Sequence, residues 1–287
     1  MIKASFMAAI LFALLLARPA TAQELDGTLK KIKTSGVLAI GYVESAPPFS
    51  FPGPNKRPVG YSIELCLRVA SGIEKQLGLE ALKIEWIPVT VENRIDMVAA
   101  GKVDIECSTT TASLSRQERV DFSLMTFVDG GGLLTTSDAN LRAVSDLAGK
   151  RIAVIPGSTT EKALGAFLKK DFITVEIVHV KDHLEGLAAL DKGAADAFAS
   201  DRGILIGLVA TSKDPARFAL AGVILSYEPY GFMLRRNDGA FRLAINRALA
   251  ALYRSGEVLD IYDHWFGGLG KPSVAIQAMY LLNGLPE

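Results

Sequence analysis

Residues 107–123, CSTTTASLSRQERVDFS, place three consecutive threonines just ahead of an arginine. A carboxylate is held best by a planar, permanently charged fork with a few aligned donors beside it, and Arg116 with Thr109, Thr110 and Thr111 supplies both. Ser115 and Glu118 have capping-box spacing, which predicts a helix that starts at Ser115 and turns free amides toward the same place. A surface pairing of Arg116 with Glu118 or Asp121 is the plainer use of the same residues. A second candidate is IPGSTTE, residues 155–161, where Ser158 and Glu161 repeat the capping-box spacing between an apolar run and a helical pattern. Ser158 and Thr159 would then sit at a helix start whose amides attract an anion, unless Ser158 is only a cap. The segment lacks the Gly-Lys-Ser/Thr of a phosphate loop, which argues against a nucleotide.

A cation would be met elsewhere. Asp201 follows the apolar run ADAFAS, and a carboxylate at the end of a strand can receive an ammonium; a loop or capping Asp is the alternative. Arg94 and His183 each begin a helical pattern and could reach a ligand's side chain, although capping or surface placement also suits His183. The three histidines, His179, His183 and His264, have no carboxylate or thiol partners at metal-binding spacing, so neither metal nor cofactor is expected.

These residues need a scaffold. From Val37 the chain alternates VLAIGYV, IELCLRVASGIEKQLGL, LKIEWIPV, RIDMVAAG and KVDIEC, then RIAVIPG, TEKALGAFLKK, TVEIVHV, HLEGLAALDKG and ADAFAS. Short apolar runs alternating with helical periodicity predict two α/β lobes. A partial repeat supports this, because Gly101 precedes Asp104 as Gly193 precedes Asp196. The same offset puts Thr109 and Asp201 beyond the carboxyl ends of equivalent strands, where open α/β sheets bind their ligands. Gly130-Gly131-Gly132 leaves the first lobe and Tyr230-Gly231 returns to it, so these are expected to be hinge crossings. The predicted division is 23–132 with 231–287 as lobe 1 and 133–230 as lobe 2. A helix from an N-cap at Asp238 to Gly256, then VLDIYDHWF, should close the back of lobe 1, with Trp265 and Phe266 as core.

Lys3, the apolar run Ala4 to Ala17 and Ala20-Thr21-Ala22 form a secretory signal over residues 1–22, with cleavage expected after Ala22. The mature chain of roughly 265 residues has room for two domains. Removing Lys3 and Arg18 from the 31 Lys and Arg leaves 29 against 31 acidic residues, so no nucleic-acid partner is implied. The two cysteines, Cys66 and Cys107, could pair after export or remain buried thiols.

Taken together, TLKKIKTSGVLAIGYVESAPPFSF, VTVENRIDMVAAGKVDIECSTTT, SLSRQERVDFS, DLAGKRIAVIPGSTTEKAL, VKDHLEGLAALDKGAADAFASD and DHWF resemble the family 3 solute-binding proteins, and among them the periplasmic glutamate/aspartate binders. The resemblance implies a periplasmic-binding-protein type II fold, a free amino acid as ligand, the permease subunits of an ABC importer as partner, a monomer, and a location in the periplasm. It implies that Arg116, Thr109 and Thr111 hold the α-carboxylate, that Ser158 adds to it from lobe 2, that Asp201 meets the α-ammonium, and that Arg94 and His183 face the side-chain carboxylate. Three positions depart from the pattern: Val43 stands for an Arg, Val91 for a Ser and Ile155 for a Thr. Each lost charged hydrogen bond costs roughly 1.5 to 3 kcal/mol, so a less polar ligand end is credible. Phe232 replaces the usual partner of Cys107. The alternative function is an exported enzyme resembling the cyclohexadienyl dehydratases, with Glu44 or His183 as general acid.

Overall fold

The computed structural model describes residues 25–139, 141 and 144–287. The signal segment and its cleavage site lie outside these. Helix α1 (Gly27–Ser35) leads through Gly36, which takes the left-handed conformation, into strand β1 (Val37–Val43). A small ribbon of β2 (Phe51–Pro52) and β3 (Pro58–Val59) precedes helix α2 (Tyr61–Leu77), whose buried stripe includes Ile63, Leu65, Cys66, Val69 and Ile73. Strand β4 (Lys83–Val89), helix α3 (Arg94–Ala99), strand β5 (Ile105–Glu106) and the single turn α4 (Leu114–Gln117) complete this part. Strand β6 (Val120–Thr136) is long, and after it come β7 (Arg151–Val154), α5 (Thr159–Lys170), β8 (Glu176–His179), α6 (His183–Asp191), β9 (Ala197–Asp201), α7 (Arg202–Ala210) and β10 (Phe218–Leu220). Strand β11 (Ser226–Arg235) then leads to helices α8 (Gly239–Ser255), α9 (Glu257–Phe266) and α10 (Val274–Asn283).

The strands run in the order β4-β1-β5-β11-β6-β9-β7-β8, with β10 beside β6. Both outer groups, β4-β1-β5 and β9-β7-β8, are parallel, as expected where helices connect neighbouring strands. Between them β6 and β11 form an antiparallel ribbon common to both lobes. The Gly triplet is therefore neither a loop nor a tight turn: Gly131 pairs with Ser226 and with Asp201 inside continuous strands. The ribbon loses register at Gly231, the signature of a bulge.

The internal repeat survives in atomic detail. Gly101 and Gly193 share a φ of 68°, which favours glycine. Three residues on, Asp104 donates its N–H to the Ala39 carbonyl (2.9 Å) and accepts from the Ala39 N–H (2.9 Å). Asp196 does the same with Arg151, both bonds being 2.8 Å. Each aspartate thus locks its strand in register with the first strand of its own lobe, and so fixes where Thr109 and Asp201 emerge.

Cys66 and Cys107 form a disulfide that ties α2 to the segment after β5. Phe232 is fully buried nearby in β11. Phe266 is core, whereas Trp265 is half-buried and donates its Nε1–H to Glu64 (2.8 Å). Phe49, Tyr61, Phe127, Tyr230 and Phe266 pack with ring centroids 4.8 to 6.1 Å apart across the ribbon. A smaller cluster of Leu133, Leu147, Ile152, Val154 and Leu164 fills the far side of the second lobe.

Candidate functional site

The carboxyl ends of the two parallel strand groups face one another, and the cleft between them is lined by Val91, Arg94 and Thr109 from one lobe and by Ile155, Ser158, Thr159, Thr160, His183 and Asp201 from the other. Its volume is about 20 Å³, little more than a water needs, so a larger solute enters only if the lobes part.

The loop after β5 is strapped to the ribbon. Ala112 N–H donates to the Pro229 carbonyl (2.8 Å) and Gly231 N–H to the Thr110 carbonyl (3.1 Å). This directs the Thr109 side chain into the cleft, while the Thr110 hydroxyl turns away and donates to Glu106 (2.9 Å). The cap of α4 is Ser113, whose Oγ accepts the Arg116 N–H; Ser115, expected to be the cap, lies inside the turn. The sequence offers both serines, and only Ser113 has the extended backbone that capping requires. Arg116 is 8% exposed and donates Nη1–H to the Thr111 carbonyl (3.0 Å). Burial and the nearby Arg94 pull its pKa down to about 10, while Glu228, Asp201 and Glu106 oppose the shift. The guanidinium stays charged at neutral pH.

Across the cleft the α5 start matches the sequence reading. Ser158 Oγ accepts the Glu161 N–H (3.0 Å) and Glu161 accepts the Gly157 N–H (2.8 Å). Asp201 ends β9, and its two oxygens accept from Thr160 (2.8 Å) and Tyr230 (2.6 Å). Burial, Glu228 and Asp129 push its pKa up to about 7. Asp129, which accepts the Gly130 and Gly203 N–H groups, is raised to about 6, chiefly by burial. The phenol of Tyr230 lies 3.2 Å from Asp129 as well, and its single proton cannot satisfy both carboxyl groups. Glu228, fully buried, accepts from Thr159 (2.7 Å) and, in a short contact, from Thr111, and so joins the two lobes through one carboxyl group. Sequence reasoning misses Asp129 and Glu228, and gives Tyr230 only as the start of the returning crossing. The signal was the alternation of Glu228 and Tyr230 on one face of a strand that otherwise reads as a hinge.

Arg94 and His183 occupy the other end. A reciprocal turn, Thr90 N–H to Asn93 Oδ1 (2.9 Å) and Asn93 N–H to Thr90 Oγ1 (3.1 Å), sets the start of α3 and hence Arg94. Arg94 is 4% exposed, and its Nε and Nη1 have no hydrogen-bond partner; the nearest carboxyl oxygen, on Glu106, is 4.0 Å away and also unpartnered. Burial raises the Glu106 pKa. His183 Nδ1 meets Ser45 Oγ across the cleft at 3.0 Å. Burial, then Arg94, lowers the His183 pKa to about 3, so the ring is neutral. Glu44 is exposed and does not line this cleft. Val91 and Ile155 do, and Val43 lines the adjoining cavity.

A cationic fork and an acidic cluster facing each other between two α/β lobes define a solute-binding protein. The family model of bacterial extracellular solute-binding proteins, family 3, matches residues 38–268, and the chain belongs to that family. It is 40% identical over 263 residues to an L-glutamate/L-aspartate-binding protein of Pseudomonas aeruginosa, covering 91% of this chain and 87% of that one. It is 34% identical to a glutamate/aspartate import solute-binding protein of Escherichia coli, covering 83% and 79%. Among solved structures, the ancestral amino-acid-binding protein AncCDT-1, a precursor of cyclohexadienyl dehydratase, has a TM-score of 0.73 at 28% identity, covering 84% of this chain and 100% of that one.

Proposed function

We propose that this chain is the periplasmic, monomeric binding protein of an ABC-type amino-acid importer, cleaved after Ala22, and that it holds glutamate, aspartate or a related polar amino acid between its lobes. Arg116 with Thr109 and Thr111 takes the α-carboxylate from lobe 1 (23–132 and 231–287), and Ser158 and Thr159 add the α5 start from lobe 2 (133–230). Asp201 takes the α-ammonium. The observation that carries this reading is the buried carboxyl cluster of Asp201, Asp129 and Glu228 at the cleft, in which burial and the neighbouring carboxyl groups raise Asp201 to about 7 and Asp129 to about 6, an environment that favours a cationic ligand group. An ammonium in that place draws the Asp201 pKa down again and completes the charge balance with Arg116. Arg94, with two unpartnered donor nitrogens, and neutral His183 face the ligand's side-chain acceptor.

The β6–β11 ribbon, bulged at Gly231, serves as the hinge. A ligand that touches both lobes stabilises the closed form by its preference for that form over the open one, and permease subunits then recognise the closed shape. Catalysis finds little support: His183 is held as a neutral imidazole, poorly suited to protonate a leaving hydroxyl, and Glu44 lies outside the cleft. The relatives named for glutamate and aspartate favour an acidic ligand, whereas Val91 and Ile155 favour one with a less polar end.

Calorimetric titration of ligand-stripped mature protein with each common amino acid and with prephenate tests the reading. Micromolar or tighter binding of glutamate or aspartate is expected, with no release of phenylpyruvate from prephenate. Binding confined to apolar amino acids would overturn the assignment of Arg94, and turnover of prephenate would overturn the binding-protein reading itself.

A further inference from the structure

The cleft does not end at Arg94 and His183. A second cavity of about 140 Å³ lies directly beyond them, and Val91 lines both. The partition is thin: Val91 on one side, and on the other the Ser45–His183 contact, with Ser45 lining the outer cavity and His183 the inner one. The two spaces follow the strand ends in order. The inner one lies where β5, β7 and β9 finish, the outer one where β1, β4 and β8 finish, along the line on which open α/β sheets bind solutes. The inner walls of the outer cavity are Val43 and Val89, both buried, with Val91, and its rim carries Glu44 and Lys181, both exposed. Asp182, also at the rim, is committed to capping α6 through the Glu185 N–H (2.8 Å).

Arg94 shows what should stand between the two spaces. Its charge is already opposed by Glu106 at 4.0 Å, yet its Nε and Nη1 have no acceptor. What the buried guanidinium lacks is therefore a hydrogen-bond acceptor more than a countercharge, and an uncharged carbonyl supplies one. A carboxylate meets the same need, but it has nothing to place among the three valines.

We propose that this outer cavity is a subsite for a substituent on the ligand's side-chain carboxyl, so that the protein binds γ-glutamyl amides of small alkylamines as well as free glutamate. The inference rests on the amino-acid site proposed above. The α-amino and α-carboxyl groups occupy Asp201 and Arg116, the γ-carbonyl accepts from Arg94, and the alkyl group lies between Val43, Val89 and Val91, which removes apolar surface from water.

Calorimetry on the full mature chain with glutamate and with γ-glutamylethylamide tests this. The amide is expected to bind within about tenfold of glutamate. Lys181→Trp and, separately, Glu44→Trp fill the rim from exposed positions outside the amino-acid site. Each should weaken the amide by about tenfold or more and leave glutamate unchanged. If wild-type protein binds glutamate but binds the amide more than about a hundredfold more weakly, or if both tryptophan variants weaken the two ligands equally, the outer subsite is refuted and the amino-acid site stands. If no amino acid binds at all, the underlying reading fails and this proposal with it.

Discussion

The two ends of the cleft are built on opposite principles. At the Asp201 end most polar atoms already have partners: Thr160 and Tyr230 serve Asp201, Gly130 and Gly203 serve Asp129, and Thr111 and Thr159 serve Glu228. What is missing there is charge. At the Arg94 end the charges are balanced but the atoms are not bonded, since Arg94 Nε and Nη1 and Glu106 Oε1 all lack partners. Arg116 stands between, buried and charged. On the proposed reading, a cleft of this kind takes an ammonium at one end and a range of hydrogen-bond acceptors at the other. Affinity and specificity are then expected to reside in different residues.

The largest expected effect comes from removing the bridge between the two ends. Arg116→Ala should cost about 2 to 5 kcal/mol in binding, or some 30-fold to several thousand-fold in Kd by calorimetry, because the ligand carboxylate is left buried without its cation. Retained affinity would move the carboxylate elsewhere. Arg94→Ala should cost roughly 1.5 to 3 kcal/mol for glutamate and less for alanine or serine, narrowing the preference measured across a ligand series. It should also lower the melting temperature, since buried Glu106 loses the cation 4.0 Å away.

A pH titration sharpens the contrast further. Burial, Glu228 and Asp129 push the Asp201 pKa up to about 7, and a bound ammonium should lower it. Below pH 7 the ligand must expel a proton, so affinity should fall by up to about tenfold per pH unit, and the protons released should appear as a buffer-dependent calorimetric enthalpy. The ligand-free protein should show the opposite trend in the Asp201 contribution to stability. The folded pKa is raised above the unfolded value of about 3.9, so that contribution is complete below the unfolded pKa and is lost as pH rises through about 7. Asp201→Asn should flatten both dependences. Thr159→Val is the mildest change: it removes one hydroxyl from Glu228 and should weaken binding several-fold, at about 1 kcal/mol, by loosening the closed form while leaving ligand preference unaltered.

The scaffold was readable because it is written in periodicity. VLAIGYV is β1, the helix from Asp238 to Gly256 is α8, and the Gly101–Asp104 and Gly193–Asp196 repeat reappears as two identical strand locks. Arg116, Thr109, Ser158, Asp201, Arg94 and His183 all come to the two facing strand ends. The less legible parts depend on pairings between distant segments. Glu228 and Asp129 lie in strands that read as glycine-rich crossings, and nothing local announces that their carboxyl groups meet Asp201. Thr110 is adjacent to Thr109, which lines the cleft, yet the strap to Gly231 turns it toward Glu106, as Thr111 is turned toward Glu228. Cys66 and Cys107 carry no spacing that distinguishes a disulfide from two buried thiols, and only the packing of α2 on the end of β5 brings them together. Helix α7, whose Gly203 N–H holds Asp129, is an almost wholly apolar run, RGILIGLVA, which periodicity alone does not separate from a buried strand.

The most direct test of the central claim compares glutamate with two molecules that each lack one of its handles. Calorimetry of the ligand-stripped protein should give micromolar or tighter binding for glutamate. 4-Aminobutyrate, without the α-carboxylate, and 2-oxoglutarate, without the amine, should each bind at least about a hundredfold more weakly, because each leaves a buried charge at Arg116 or Asp201 unanswered. If 2-oxoglutarate bound as tightly as glutamate, the acidic cluster around Asp201 would not be an ammonium site, and the account of this cleft would be wrong.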